Sequence, residues 1–192
     1  MKAKSFIKTT IQLFIVITVI VLIKMNALES AVLRYISLDE LTLSSDIIFE
    51  GEVTGVETGW TEEPKHLITT LTIRIDNVLK NNDSGKKEGD KVELRLPGGH
   101  KDGMTMFVVG GPRLYKGEKV LLFLERDTDH FMLNGFTQGK FSIQTDESGN
   151  KVLIRDLSGA SLIGVNPDDE FLFEVQDYGL IVSIIETATK KK

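Results

Sequence analysis

Hydrophobic positions along this chain change their period several times, and each change marks an element. In "YISLDELTLSSD", Ser37 stands three residues ahead of Glu40, a capping-box spacing that predicts a helix of about two turns from Leu38 to near Ser44. From Ile47 the period becomes two. Ile47, Phe49, Gly51, Val53 and Gly55 share one face, and Glu50, Glu52 and Thr54 the other, outward and exposed face of a half-buried strand. Gly51 and Gly55 predict a coiled or bulged strand where another backbone passes close. Beyond the polar connection "TGWTEEPKH", the stretch "LITTLTIRIDNVLK" alternates again as a long second strand, with Leu67, Thr69, Leu71, Ile73 and Ile75 on one face. "KVELRL" predicts a third strand with Val92, Leu94 and Leu96 inward, and "MTMFVVGG" a weaker fourth after the "PGGHKDG" turn.

The run Val120 to Leu124, "VLLFL", is apolar on both parities, as expected for a strand covered on both faces, and is predicted to be central. "HFMLNGFTQGKFSIQ", the hairpin turn "DESGN" and "KVLIR" complete the β part. "NPDDEFLFEVQDYGLIVSIIETATKKK" offers Asn166 as N-cap, Pro167 at the first helical position and acids in the first turn. Phe171, Val175, Tyr178, Ile181 or Val182, and Ile185 lie near helical spacing, although Gly179 disfavours a helix by about 1 kcal/mol. Short strands at regular spacing, with helices only at the ends, predict a mainly β fold: a small OB-like β-barrel of six or seven strands over residues 31–165, then a C-terminal helix and basic tail over 166–192.

Composition narrows the function classes. The 192 residues, 41% of them hydrophobic, suffice for one domain with its own core. The net charge of −5 includes Lys2, Lys4, Lys8 and Lys24 near the N-terminus, so the body is more acidic still. An acidic body excludes a nucleic-acid partner, whose affinity rests on phosphate neutralisation. Cysteine is absent, which excludes disulfides, a thiol nucleophile and thiolate metal sites. Residues 9–23 form an uncharged, apolar run behind a basic start, the pattern of a secretory signal, so residues 1–30 are expected to be a signal peptide or N-terminal membrane anchor. The run falls short of the roughly 20 residues a span needs, which favours cleavage over anchoring. Either way the domain is expected to be extracytoplasmic, periplasmic or secreted, touching the membrane only if residues 9–23 are retained.

The order "SDIIFEGEVTGVE", then a long strand ending in Val78, Leu79 and Lys80, then "EKVLLFL" and a closing hairpin resembles the netrin-like OB module, which includes the N-domain of tissue inhibitors of metalloproteinases. With Gly117, Glu118 and the "QGKF" of 138–141, it also resembles uncharacterised exported bacterial proteins. The resemblance covers about Ser45 to Arg155 and implies the fold. Those inhibitors chelate the protease zinc through an N-terminal cysteine, and this chain has none, so their inhibitory residues do not carry over.

Candidate chemistry is sparse. His66, His100 and His130 fall in or beside predicted loops without H-x-H or HExxH spacing, and are read as solvated histidines rather than zinc ligands. Asp127, Asp129, Asp146, Glu147 and Asn150 lack the ligand order of a calcium loop and are read as hairpin-turn residues. "PGGHKDG" and "VVGGPRLYKGE" lack the context of a phosphate-binding loop, but Arg113, Tyr115 and Lys116 with His100 are candidates to line a small polar groove. The motif G-x-S-x-G does not occur. Trp60, the only tryptophan, falls in the first inter-strand connection, as a capping aromatic or a contact anchor. The sequence thus predicts an exported, non-catalytic binding module with neither cofactor nor metal. Its expected partner is a protein or surface glycan, met through Trp60, His66, His100, Arg113, Tyr115 and Lys116 along a groove formed by residues 58–66 and the Gly98 to Gly103 turn. The alternatives are an extracytoplasmic hydrolase with an unrecognised loop site and a metalloprotease regulator.

Overall fold

The computed structural model describes residues 30–62, 65–82, 85–127, 130–165 and 175–190. Its fold is mainly β, and five strands close into a barrel. β2 (Ile47–Trp60) pairs antiparallel with β3 (Leu67–Asn81), and β3 with β4 (Lys91–Pro97). β7 (Lys119–Asp127) returns beside β2, and β8 (His130–Leu133) closes the ring by pairing antiparallel with β7 and parallel with β4. The spatial order β2-β3-β4-β8-β7 is the Greek-key order of a five-stranded OB barrel. The remaining strands lie outside the ring. β9 (Lys140–Thr145), β10 (Lys151–Ile154) and β12 (Val175–Asp177) extend the sheet outward from β7. β1 (Ala31–Arg34) forms a separate parallel pair with β11 (Ala160–Ile163).

The two-sided run in β7 has its reason here. Val120, Leu122 and Leu124 point into the barrel core with Ile47, Phe49, Ile73 and Leu94. Leu121 and Phe123 point the other way, into a second core with Ile48, Phe141, Leu153, Ile181 and Ile185. Every residue from Val120 to Leu124 is fully buried, because β7 is the wall shared by two cores. The outer core is roofed by α1 (Leu38–Ser44) and α2 (Tyr178–Lys190). α1 starts where the capping spacing predicts, with the Ser37 hydroxyl accepting from the Glu40 N–H at 3.2 Å. Its C-terminus is held by Lys80 of β3. Only 4% exposed, Lys80 donates from Nζ to the carbonyls of Thr42, Leu43 and Ser45 at 2.7, 3.0 and 2.6 Å.

Three expectations are corrected. Met104–Met106 (β6) does not enter the barrel; it folds back on Gly99–Lys101 (β5) as a separate hairpin around an Asp102-Gly103 turn, both residues at positive φ. The C-terminal helix begins at Tyr178, because residues 175–177 are drawn onto the free edge of β10, and Asp177 Oδ1 accepts from the Leu180 N–H at 2.7 Å. Asn166, Pro167 and Phe171 lie outside the described residues. Glu50 is not on an exposed face. It is 7% exposed beneath α2, where it accepts from the Tyr178 hydroxyl, with Lys151 Nζ 3.7 Å away. Burial, then the bond to Glu50, pushes the Tyr178 phenol up to about 12. Among the described residues no helix is long and apolar enough to cross a membrane. Residues 1–29, where the export segment is expected, lie outside them.

Candidate functional site

An open cleft of about 390 Å³ lies at one end of the barrel, where β2, β3 and β4 meet the long connection from β4 to β7. Its walls follow from a bulge. At the start of β2 the odd residues Ile47, Phe49 and Val53 face the barrel interior. The register with β3 then slips between Val53 and Gly55, so one extra residue enters β2, and Val56 comes opposite Leu71 and Thr58 opposite Thr69. The inward phase therefore passes from odd to even positions, and Val56 and Thr58 become cleft residues. Gly51 shows how tightly the coiled strand runs against β3, since a Cβ there would stand 2.3 Å from the Arg74 carbonyl oxygen.

The β5–β6 hairpin covers one side. Gly98 N–H donates to the Leu67 carbonyl at 2.7 Å, and the Thr69 hydroxyl donates to the Gly98 carbonyl at 2.8 Å. Gly99, at φ +136°, fits against Thr58 and Thr69 where any side chain would collide with their hydroxyls. The interior is apolar, built by Val56, Leu71, Leu96, Met106, Val108 and Leu114. The rim is aromatic and cationic. Phe107 and Tyr115 are 67% and 64% exposed, and the Arg113 guanidinium lies 4.8 Å over the Phe107 ring. Phe136, which also lines the cleft, sits at φ +60°, a left-handed conformation that costs a non-glycine residue on the order of 1 kcal/mol or more.

His100, Arg113 and Tyr115 are brought together in the cleft lining. His100 Nδ1 is 2.8 Å from the Thr105 hydroxyl, which holds the ring on the hairpin. Trp60, His66 and Lys116 fall outside that lining. Trp60 is the last residue of β2 rather than a loop residue, and its indole N–H donates to Asp102 Oδ2 at 3.1 Å, bracing the hairpin turn. His66 pairs with Thr61 at the β2–β3 connection, its carbonyl accepting from the Thr61 N–H at 2.9 Å and its N–H donating to the Thr61 hydroxyl at 2.8 Å. Lys116 stands exposed in the turn before β7. The histidines stand apart, and among the described residues no group of three His, Asp or Glu side chains gathers as a metal site. The "DESGN" acids form a turn: Asp146 accepts from the Ser148 and Asn150 N–H groups, and the bonds from Asn150 hold its carboxyl below the usual range. Asp129 lies outside the described residues.

A second, more polar groove of about 580 Å³ meets the cleft at Arg113 and Tyr115. Sequence spacing did not reveal its chief feature, because Lys140 and Ser142, two residues apart on β9, meet Glu118, which stands just before β7 and more than twenty residues away along the chain. Lys140 Nζ donates to Glu118 Oε1 at 2.6 Å and to Ser142 Oγ at 2.7 Å, and Ser142 Oγ donates to the same Glu118 oxygen at 2.6 Å. An ammonium has no lone pair with which to take the serine proton, so the arrangement ties β9 to the start of β7 and does not form a serine–lysine nucleophile pair. Asp156, at the edge of this groove, has its carboxyl held below the usual range, first by the Ser158 hydroxyl and further by the charges of Lys140 and Arg113. The "QGKF" stretch is likewise architectural: Gln138 Nε2 donates to the Arg34 carbonyl at 2.9 Å, and its Oε1 accepts from the Ile36 N–H at 3.0 Å.

No protein-family model matches this chain, and no curated protein matches it at a significant level.

Proposed function

We propose that this protein is an extracytoplasmic, non-catalytic binding module that receives its partner in the cleft at the barrel end. The observation that carries the reading is the cleft itself, an open apolar depression of about 390 Å³ with Phe107 and Tyr115 exposed on its rim. A volume of several hundred cubic ångströms, mostly apolar walls and a few placed polar groups are the usual attributes of a ligand site. Exposed aromatics at such a rim are the side chains that most often dominate binding energy. OB barrels share this architecture across unrelated activities, so the reading rests on the site and not on the topology.

A panel of soluble peptides and glycans, titrated against the full chain, tests it. Binders should lose about tenfold or more in affinity on Phe107→Ala and on Tyr115→Ala, a change of roughly 1.4 kcal/mol, while the thermal midpoint stays in place because both rings are exposed. Affinities unchanged in both variants would sink the cleft reading. Release of cleaved product from any probe would favour the hydrolase reading instead.

A further inference from the structure

We propose that the partner of this cleft is an acidic peptide segment, an apolar side chain flanked by carboxylates, with Arg113 pairing a carboxylate at the rim. The inference rests on the cleft reading above and goes further by naming the ligand's chemistry. Between Gly98 and Lys119 stand Lys101, Arg113, Lys116 and Lys119 against Asp102 and Glu118, in a chain whose net charge is −5. Both acids are already engaged, Asp102 by the Trp60 indole and Glu118 by Lys140. Arg113 forms no salt bridge among the described residues, and stacking on the exposed Phe107 ring leaves its N–H fork available. A guanidinium presented in this way is suited to a carboxylate, which it can grip with two parallel hydrogen bonds. Its field already reaches Asp156, whose carboxyl it helps hold below the usual range.

The apolar interior excludes a glycan as the better fit, because sugar hydroxyls need partners. The three threonine hydroxyls in its lining are engaged, Thr58 with Thr69 at 3.1 Å, Thr69 with the Gly98 carbonyl and Thr105 with His100 Nδ1 at 2.8 Å. An extended chain suits the shape better than a compact small molecule. The apolar cleft and the polar groove are continuous at Arg113 and Tyr115, and Lys119 lines the second of them. A peptide can seat an apolar side chain in the first and run its acidic neighbours past Arg113 towards Lys119.

Fluorescence anisotropy with three dye-labelled, end-blocked tetrapeptides on the full chain decides this: Glu-Phe-Leu-Glu, Gln-Phe-Leu-Gln and Lys-Phe-Leu-Lys. The glutamate peptide should bind about tenfold or more tighter than the glutamine peptide, with the advantage shrinking as salt rises and vanishing in Arg113→Gln. Arg113→Gln should keep the parent thermal midpoint, since the side chain is exposed. Equal binding of the glutamate and glutamine peptides, with both weakened by Phe107→Ala, overturns the charge assignment and leaves the cleft reading standing. Tightest binding of the lysine peptide overturns it too. Saturable binding of none of the three overturns the inference, and the cleft reading then falls as well if no member of the wider panel responds to Phe107→Ala.

Discussion

Replacing Lys80 with methionine isolates what a buried ammonium does for this fold. The side chain keeps a similar length and apolar stem, so packing changes little, but three donated bonds vanish from the C-terminus of α1. Hydrogen bonds to a charged group contribute about 1.5–3 kcal/mol each, so the three together have a gross value of roughly 5–9 kcal/mol. Two terms reduce this. Removing the ammonium relieves a desolvation cost of several kcal/mol. Leu43 is exposed, so its carbonyl regains water, and Ser45 O retains a long bond from Asn82 Nδ2 at 3.4 Å. The expected net loss is about 2–4 kcal/mol, a large share of a typical total of ~5–15. Urea unfolding followed by far-UV circular dichroism and Trp60 fluorescence should show a lower midpoint with an unchanged slope. A Lys80→Met protein as stable as its parent would refute the reasoning, because it would mean that burying the charge cancels all that the three carbonyls gain.

Leu122→Asp and Phe123→Asp should each abolish cooperative folding although they point into different cores, since an unpaired buried charge costs several kcal/mol; soluble variants melting near the parent midpoint would show β7 to be peripheral. For Tyr178, the folded pKa of about 12 lies above the ordinary 10, so its contribution is complete below pH 10 and is lost as the pH climbs towards 12. Stability measured across that window should therefore fall by about 1–2 kcal/mol more in the parent than in Tyr178→Phe, after discounting for the partly exposed ring, and parallel curves would remove the assigned role of the Glu50 contact.

Local rules were enough for the elements whose causes are local. The Ser37–Glu40 spacing starts α1 where it stands, and the two-parity run of Val120 to Leu124 identifies a strand buried on both sides, because a residue's neighbours at two and at three or four positions carry that information. Gly55 signalled a bulge in β2, but not its consequence. One inserted residue reverses the facing of everything after it, and only pairing with β3 shows that Val56 and Thr58 turn inward to make a cleft wall. His100, Arg113 and Tyr115 were legible as a group because they share one connection, whereas Trp60 looked like a loop anchor until β2 was seen to reach it. Glu50 alternates like an exposed strand residue, and its burial was decided by Tyr178, which lies 128 residues further along the chain. The sequence by itself determined the long strands β2, β3, β4 and β7, the short helix α1 and the barrel class, since these follow from backbone period and local capping. Which face of each strand is covered, where α2 begins, and how Glu118 meets Lys140 and Ser142 were decided only by the tertiary structure, because they depend on packing between segments whose spacing in sequence carries no periodic signal.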